Sequence, residues 1–123
     1  MVRLMHAYDL VNTLAAVSYP SETITELLYK PAGAFTVVTA QDTGTHTDLY
    51  KQLKELLPGC QRIHTVQTGT DKQEGQRKAR VLKRINATSY TDDNVNILAT
   101  IAQQLPDLPL YHITNGRRKR WNG

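Results

Sequence analysis

Apolar positions along this chain recur at two different periods, and the switches between those periods lay out its elements. Residues 2–9 are an apolar-rich stretch that predicts a first strand ending at Asp9. Residues 21–30 carry Ile24, Leu27 and Leu28 at i, i+3, i+4 behind Ser21, the spacing and the cap of a helix. Residues 34–40 are β-branched and almost continuously apolar, as in a strand buried on both faces. A stronger helix is predicted over 45–59, with Leu49, Leu53, Leu56 and Leu57 as its stripe and Pro58-Gly59 as its stop.

The second half continues the alternation. Residues 62–67 read as a third strand, and the polar run that follows reads as a loop. Ala79, Leu82 and Ile85 form one side of a helix over 76–86. A weak strand at 88–93, a helix at 94–105 and a fifth strand at 108–114 complete the pattern. Strands and helices in strict alternation predict an α/β fold: a Rossmann-like three-layer sandwich around a parallel five-stranded sheet. Residues 1–116 form one domain in this reading, with 117–123 as a basic C-terminal tail.

Composition narrows the class. An apolar fraction of 40% and a charged fraction of 21% describe a chain able to bury a core, not a disordered one. The single Cys60 excludes an intramolecular disulfide and offers no zinc pattern, so it reads as a packed thiol. No apolar run approaches the roughly 20 residues of a bilayer span, and no signal segment is evident; a cytoplasmic protein without a membrane partner is expected. The net charge of +4 is concentrated in Arg117, Arg118, Lys119 and Arg120, so the body is close to neutral.

In parallel sheets, ligands bind beyond the carboxyl ends of the strands. Polar side chains collect at those ends here. Asp9 ends the first strand with Thr13 beyond it, Thr39 ends the second, Lys78 lies near the start of the third helix, and Asp92 and Asp93 end the fourth strand. Carboxylates packed together repel unless a hard cation sits among them, and Mg²⁺ favours such oxygens. A hydroxyl and an ammonium suit phosphoryl oxygens. Each residue also has a plainer reading. Asp9 alone would be a loop residue, and the acidic doublet could cap the helix after it. Lys78 competes with Lys72, Arg77, Arg80 and Lys83.

Taken in order, Asp9 with Thr13-Leu14, then Thr39, Lys78 and the Tyr90-Thr91-Asp92-Asp93-Asn94 run resemble the four motifs of the haloacid dehalogenase-like superfamily, over residues 4 to about 113. The resemblance is to its minimal, capless members, of a kind often encoded by phages. It implies a Mg²⁺-dependent phosphatase acting through an aspartyl-phosphate on Asp9. It also implies phosphoryl contacts from Thr13, Thr39, Ala40 and Lys78. Metal ligands would come from Asp9, Asp92, Asp93 and the Val11 carbonyl, and the substrate would be a phosphorylated small molecule or nucleotide.

Two positions depart from that pattern. Phosphatases of the superfamily carry a second Asp two residues after the nucleophile, where this chain has Val11. Losing that acid–base group removes assistance worth about 10²–10⁴-fold. Gln41 stands where relatives often have arginine. The tail offers a different use: Arg117, Arg118, Lys119 and Arg120 beside Trp121 could contact a phosphate backbone and stack on a base, so nucleic acid is a further expected partner, against a frayed, solvated terminus. A non-catalytic protein binding through that surface is the rival expectation.

Overall fold

Two faces alternate along the central strands, and each face feeds its own core. In a computed structural model, residues 3–41 and 46–123 are described; residues 2 and 45, where two expected elements begin, lie outside them. The first strand, β1 (His6–Tyr8), is shorter than expected and sends Ala7 to one side of the sheet and Tyr8 to the other. The next sheet strand does the same, with Val38 on the Ala7 side and Val37 on the Tyr8 side. This strict period of two is why both faces need covering.

Between those strands the chain departs from expectation. Residues 21–30 do not form a helix. They contribute β3 (Thr23–Leu27), paired antiparallel with β2 (Ala15–Ser18) in a separate two-stranded sheet. Thr23, Ile24 and Thr25 are β-branched, which favours the extended backbone over the helix that Ile24 and Leu27 suggest by spacing. Ser21 caps nothing; its hydroxyl donates to the Ser18 carbonyl.

The main sheet is completed by β4 (Phe35–Ala40), β5 (Cys60–Val66), β6 (Ser89–Asp92), β7 (Leu110–Thr114) and β8 (Arg117–Arg120). Its order is β5-β4-β1-β6-β7-β8, with every pairing parallel except β7 with β8. Among the described residues it therefore has six strands, not five, and its last strand is antiparallel. Residues 117–120 are not a loose tail. Asn115 and Gly116 have φ of 51° and 77°, the left-handed pair of a tight hairpin turn, and fold the arginine-rich segment back onto β7.

Three helices flank the sheet among the described residues. α1 (Thr47–Leu56) packs Leu49 and Leu53 with Leu57 against Tyr8, Phe35 and Val37, while Leu56 faces outward. Gln52 of α1 accepts from the Ile24 amide at 2.9 Å and donates to the Glu22 carbonyl at 3.0 Å, pinning the β2–β3 hairpin to that face. On the opposite face lie α2 (Asp71–Arg84) and α3 (Val95–Gln104), enclosing Val38, Leu82, Tyr90, Leu98 and Ile101. No helix is long and apolar enough to cross a membrane, among the described residues.

α2 begins five residues before the expected start. Thr70 and Gln73 form a reciprocal capping box there, so the polar run read as a loop is the first turn and a half of the helix. Its buried face includes Gly75 and Lys78, residues that an apolar-period search does not see.

Candidate functional site

The strand order reverses at β1: β4 and β5 extend to one side, β6 and β7 to the other. Carboxyl ends of strands diverge at such a point and leave a crevice. Asp9 follows β1 directly, its amide donating to the Thr91 carbonyl at 2.9 Å and so tying the end of β1 to β6. Asp92 is the last residue of β6 and Asp93 the next. Carboxylate oxygens of the three lie within 4.8 Å of one another. Thr39 and Ala40, at the end of β4, line the same cavity of ≈ 480 Å³ with Val11 and Gln41.

Lys78 enters from α2. It sits in the second turn of that helix, further in than its expected place near the start, and its side chain is buried. The ammonium donates to Asp92 Oδ2 at 2.9 Å and Asp9 Oδ1 at 3.2 Å. Of the basic residues that compete for this place in the sequence, Arg77 is turned away, donating to the Gln67 and Thr68 carbonyls.

Asp92 is fully buried and accepts three hydrogen bonds. Besides Lys78, its carboxylate accepts from the Tyr90 hydroxyl at 2.6 Å and the Asn94 amide at 3.0 Å. Asp93 is held by the Thr13 hydroxyl at 3.3 Å, and its carbonyl faces His112 Nε2 at 3.0 Å. Thr13 is completely buried and does not line the cavity, so it positions Asp93 from behind. Capping of α3 falls to Asn94, whose side chain accepts from the Asn96 and Ile97 amides. The two aspartates are therefore free of that duty.

Three carboxyl groups cluster around one ammonium that pairs with two of them, and the imbalance is felt at Asp9. Burial first, then the neighbouring charges of Asp92 and Asp93, push its pKa up to about 7; Lys78 and a hydrogen bond from Thr39 oppose the rise. Asp93 is raised too, by burial and then by Asp92. For Lys78, burial would lower the pKa, but Asp9 and Asp92 outweigh it and the ammonium is raised above its ordinary value. The Asp9 side chain keeps 13% of its surface exposed, enough to meet a ligand in the cavity.

The donor set fits a small hard cation. Opposite ligands in an octahedral Mg²⁺ shell are about 4.2 Å apart, twice a bond of about 2.1 Å, so oxygens spread over no more than 4.8 Å need little adjustment. Sequence reasoning missed Tyr90, though in an alternating strand it shares a face with Asp92. It also missed Glu22 and His46, which line the cavity from the hairpin and from the start of α1. No apolar period announces that pair, and the hairpin carrying Glu22 reads as helix.

Comparison with family models, with curated proteins and with solved structures finds no match to this chain.

Proposed function

We propose that this chain is a Mg²⁺-dependent phosphomonoester hydrolase of the haloacid dehalogenase type, on a Rossmann-like core, working through an aspartyl-phosphate on Asp9. One observation carries the reading: oxygens of Asp9, Asp92 and Asp93 converge within 4.8 Å, with the Lys78 ammonium between two of them. The order of the parallel strands around β1 supports the same core.

Asp9, Asp92, Asp93 and the Val11 carbonyl would hold the cation. Bound there, Mg²⁺ would neutralise the carboxylates and the non-bridging oxygens of a phosphoryl group. Asp9 attacks phosphorus with one carboxylate oxygen while Lys78 steadies the other. The Thr39 hydroxyl, the chain at Ala40 and Lys78 orient the phosphoryl oxygens, and Thr13 keeps Asp93 in place. Val11, which stands where phosphatases of that superfamily carry a proton-transferring Asp, lines the cavity and cannot move a proton.

An aryl phosphate with Mg²⁺ tests this. Turnover is expected in the native chain and lost in Asp9→Asn; equal rates in the two proteins would end the proposal. Val11→Asp is expected to raise the rate.

A phosphorylated small molecule or a nucleotide suits the cavity, and a nucleic-acid end is the extended form of the same substrate. Arg117 and Lys119 line a second cavity of ≈ 630 Å³ with His112, whose ring contacts the Asp93 carbonyl. Arg117, Lys119 and Arg120 form no ion pair among the described residues. Trp121 is less available than its position suggests, since it packs partly against the core beneath α2 and α3. If the protein binds nucleic acid without turning it over, affinity should fall steeply with salt and with Arg117→Gln/Lys119→Gln, and survive Asp9→Asn.

A further inference from the structure

Four consecutive cations form the last strand of the sheet, and strand geometry sorts them into two pairs. Alternate side chains of β8 point to opposite faces, and partners in an antiparallel register share a face. Arg118 and Arg120 lie on the side of Tyr111. Their guanidiniums stand 3.6 Å and 5.8 Å from its ring centroid, and Arg118 also donates to the Thr91 hydroxyl. Arg117 and Lys119, paired with Thr114 and His112, lie on the other side. Both are exposed and form no ion pair among the described residues. With His112, Thr114 and Asn115 they line the cavity of ≈ 630 Å³. The turn between the two strands is seated closely: a Cβ at Gly116 would come within 2.6 Å of the Leu28 carbonyl oxygen.

This cavity adjoins the one around Asp9. Asp93 lines the first and His112 the second, and His112 Nε2 donates to the Asp93 carbonyl at 3.0 Å. His112 is also the register partner of Asp92, so both cavities sit at the carboxyl end of the sheet. Only β6 separates β1 from β7, which puts about 10 Å between the strands that carry the two sites. One phosphoryl group cannot span that gap. Two phosphates of one molecule can.

We propose that the cavity of Arg117 and Lys119 holds a second phosphate of the substrate whose terminal phosphate enters the Asp9 cavity, as the end of an oligonucleotide supplies. The proposal rests on the reading that places a phosphate monoester beside Asp9, and it names the substrate class. Two cations on a concave wall meet the oxygens of a phosphodiester through charge-assisted hydrogen bonds, with the arginine fork suited to two oxygens at once. Trp121 is packed against the core and Tyr111 lies under Arg118 on the opposite face, so neither is placed to stack on a base in this cavity. Recognition there is of phosphate and not of base identity. A nucleoside bisphosphate carries the same chemistry over a shorter span, and the experiment separates these two sources.

The test uses octathymidylate phosphorylated at either end, a nucleoside bisphosphate and a nucleoside monophosphate, each with Mg²⁺. Native kcat/KM on the octamer should exceed that on the monophosphate by about 10-fold or more, the worth of one charged hydrogen bond. Arg117→Gln/Lys119→Gln should bring that ratio close to one, through KM and not kcat. Arg117→Lys should keep the preference that Arg117→Gln weakens. Lys51→Gln/Lys54→Gln removes the same charge from the exposed side of α1 and should leave the ratio high. A native ratio near one, or an equal fall in both double variants, would overturn the proposal. A bisphosphate that behaves as the monophosphate assigns the second phosphate to a nucleic-acid strand; one that matches the octamer upholds the site with a small molecule as its source.

Binding separates this inference from the chemistry at Asp9. With Asp9→Asn and Mg²⁺, fluorescence anisotropy should show affinity for the octamer that depends on its terminal phosphate. Adding Arg117→Gln and Lys119→Gln should flatten the slope of log affinity against log salt by about 1.4, two contacts at about 0.7 each. If no ester is turned over, the Asp9 chemistry fails. Binding that still needs both the terminal phosphate and the two cations then upholds this inference, and binding indifferent to either one sinks it.

Discussion

Lys78 is 1% exposed and lies within hydrogen-bond distance of two carboxylates. A buried cation in this position is a partner that its neighbours cannot lose cheaply. Lys78→Met removes the charge, keeps most of the volume and leaves Asp92 buried beside Asp9. The expected cost is about 3–5 kcal/mol in urea unfolding near pH 7.5. Mg²⁺ should recover more stability for the variant than for the native chain, because the cation restores the missing charge. A loss of only a few tenths would mean that water already compensates the pair.

Asp9 makes a second prediction, about pH. Its folded pKa, about 7, lies above the ordinary 3.8, so between about pH 4 and 7 the folded chain holds a proton that the unfolded chain has released. Its contribution to stability is full at the acidic end and is lost as pH rises through the folded value. In chelator, Tm of the native chain should decline across that window more than Tm of Asp9→Asn, and parallel profiles would remove Asp9 as the cause. At this scale the sequence was informative about chemistry. Asp9, Thr39, Asp92 and Asp93 stand out because polar residues at the ends of apolar strands have no packing reason to be there, whereas Lys78, inside α2, is singled out from its basic neighbours only by its burial. Tyr90, Glu22 and His46 do not stand out, since an aromatic in a strand and polar residues in turns look ordinary until their neighbours are known.

Among the elements, α2 and α3 make the closest helix pair, and Gly75 is what lets them approach. A Cβ at Gly75 would meet Thr100 Cβ at 2.6 Å and the Ile97 carbonyl oxygen at 3.2 Å. Alanine ordinarily stabilises a helix interior by about 1 kcal/mol over glycine. Here the clash should reverse the sign, so Gly75→Ala is expected to destabilise by about 1–3 kcal/mol in thermal unfolding. A stabilised variant would show that the helices can part without cost. The same glycine explains why α2 was only half legible. A buried face built from Gly75, Lys78 and Ala79 has little apolar signal, whereas α3, with Ile97, Leu98 and Ile101 buried, reads correctly. The β2–β3 hairpin was illegible for the opposite reason, because Ile24 and Leu27 fit a helical spacing by accident. Asn115-Gly116 did mark a hairpin in the sequence, and the cluster of cations after it drew attention to charge instead of to pairing.

Across the whole molecule, parallel order was legible because strands and helices alternate, and it is the order that brings β1 and β6 together. The last strand was not, since four consecutive basic residues have no strand pattern and gain their place from β7. Arg118 shows how: its guanidinium lies 3.6 Å from the Tyr111 ring centroid and its Nε donates to the Thr91 hydroxyl at 2.9 Å. Deleting residues 117–123 should therefore lower Tm clearly, not leave it unchanged as for a frayed end. Light scattering should also show association that grows with concentration; a monomeric variant of native stability would contradict both expectations.

The reason lies in what β8 covers. A sheet margin with open amides and carbonyls is a template on which any extended chain can dock, including another copy of the same protein. β8 occupies that margin beside β7 with a strand in which Arg117, Lys119 and Arg120 are exposed. A second molecule sliding up to extend the sheet would have to align like charges against like. The residues that look like a grip for something anionic thus also serve as a fence, keeping the sheet from growing into a fibre.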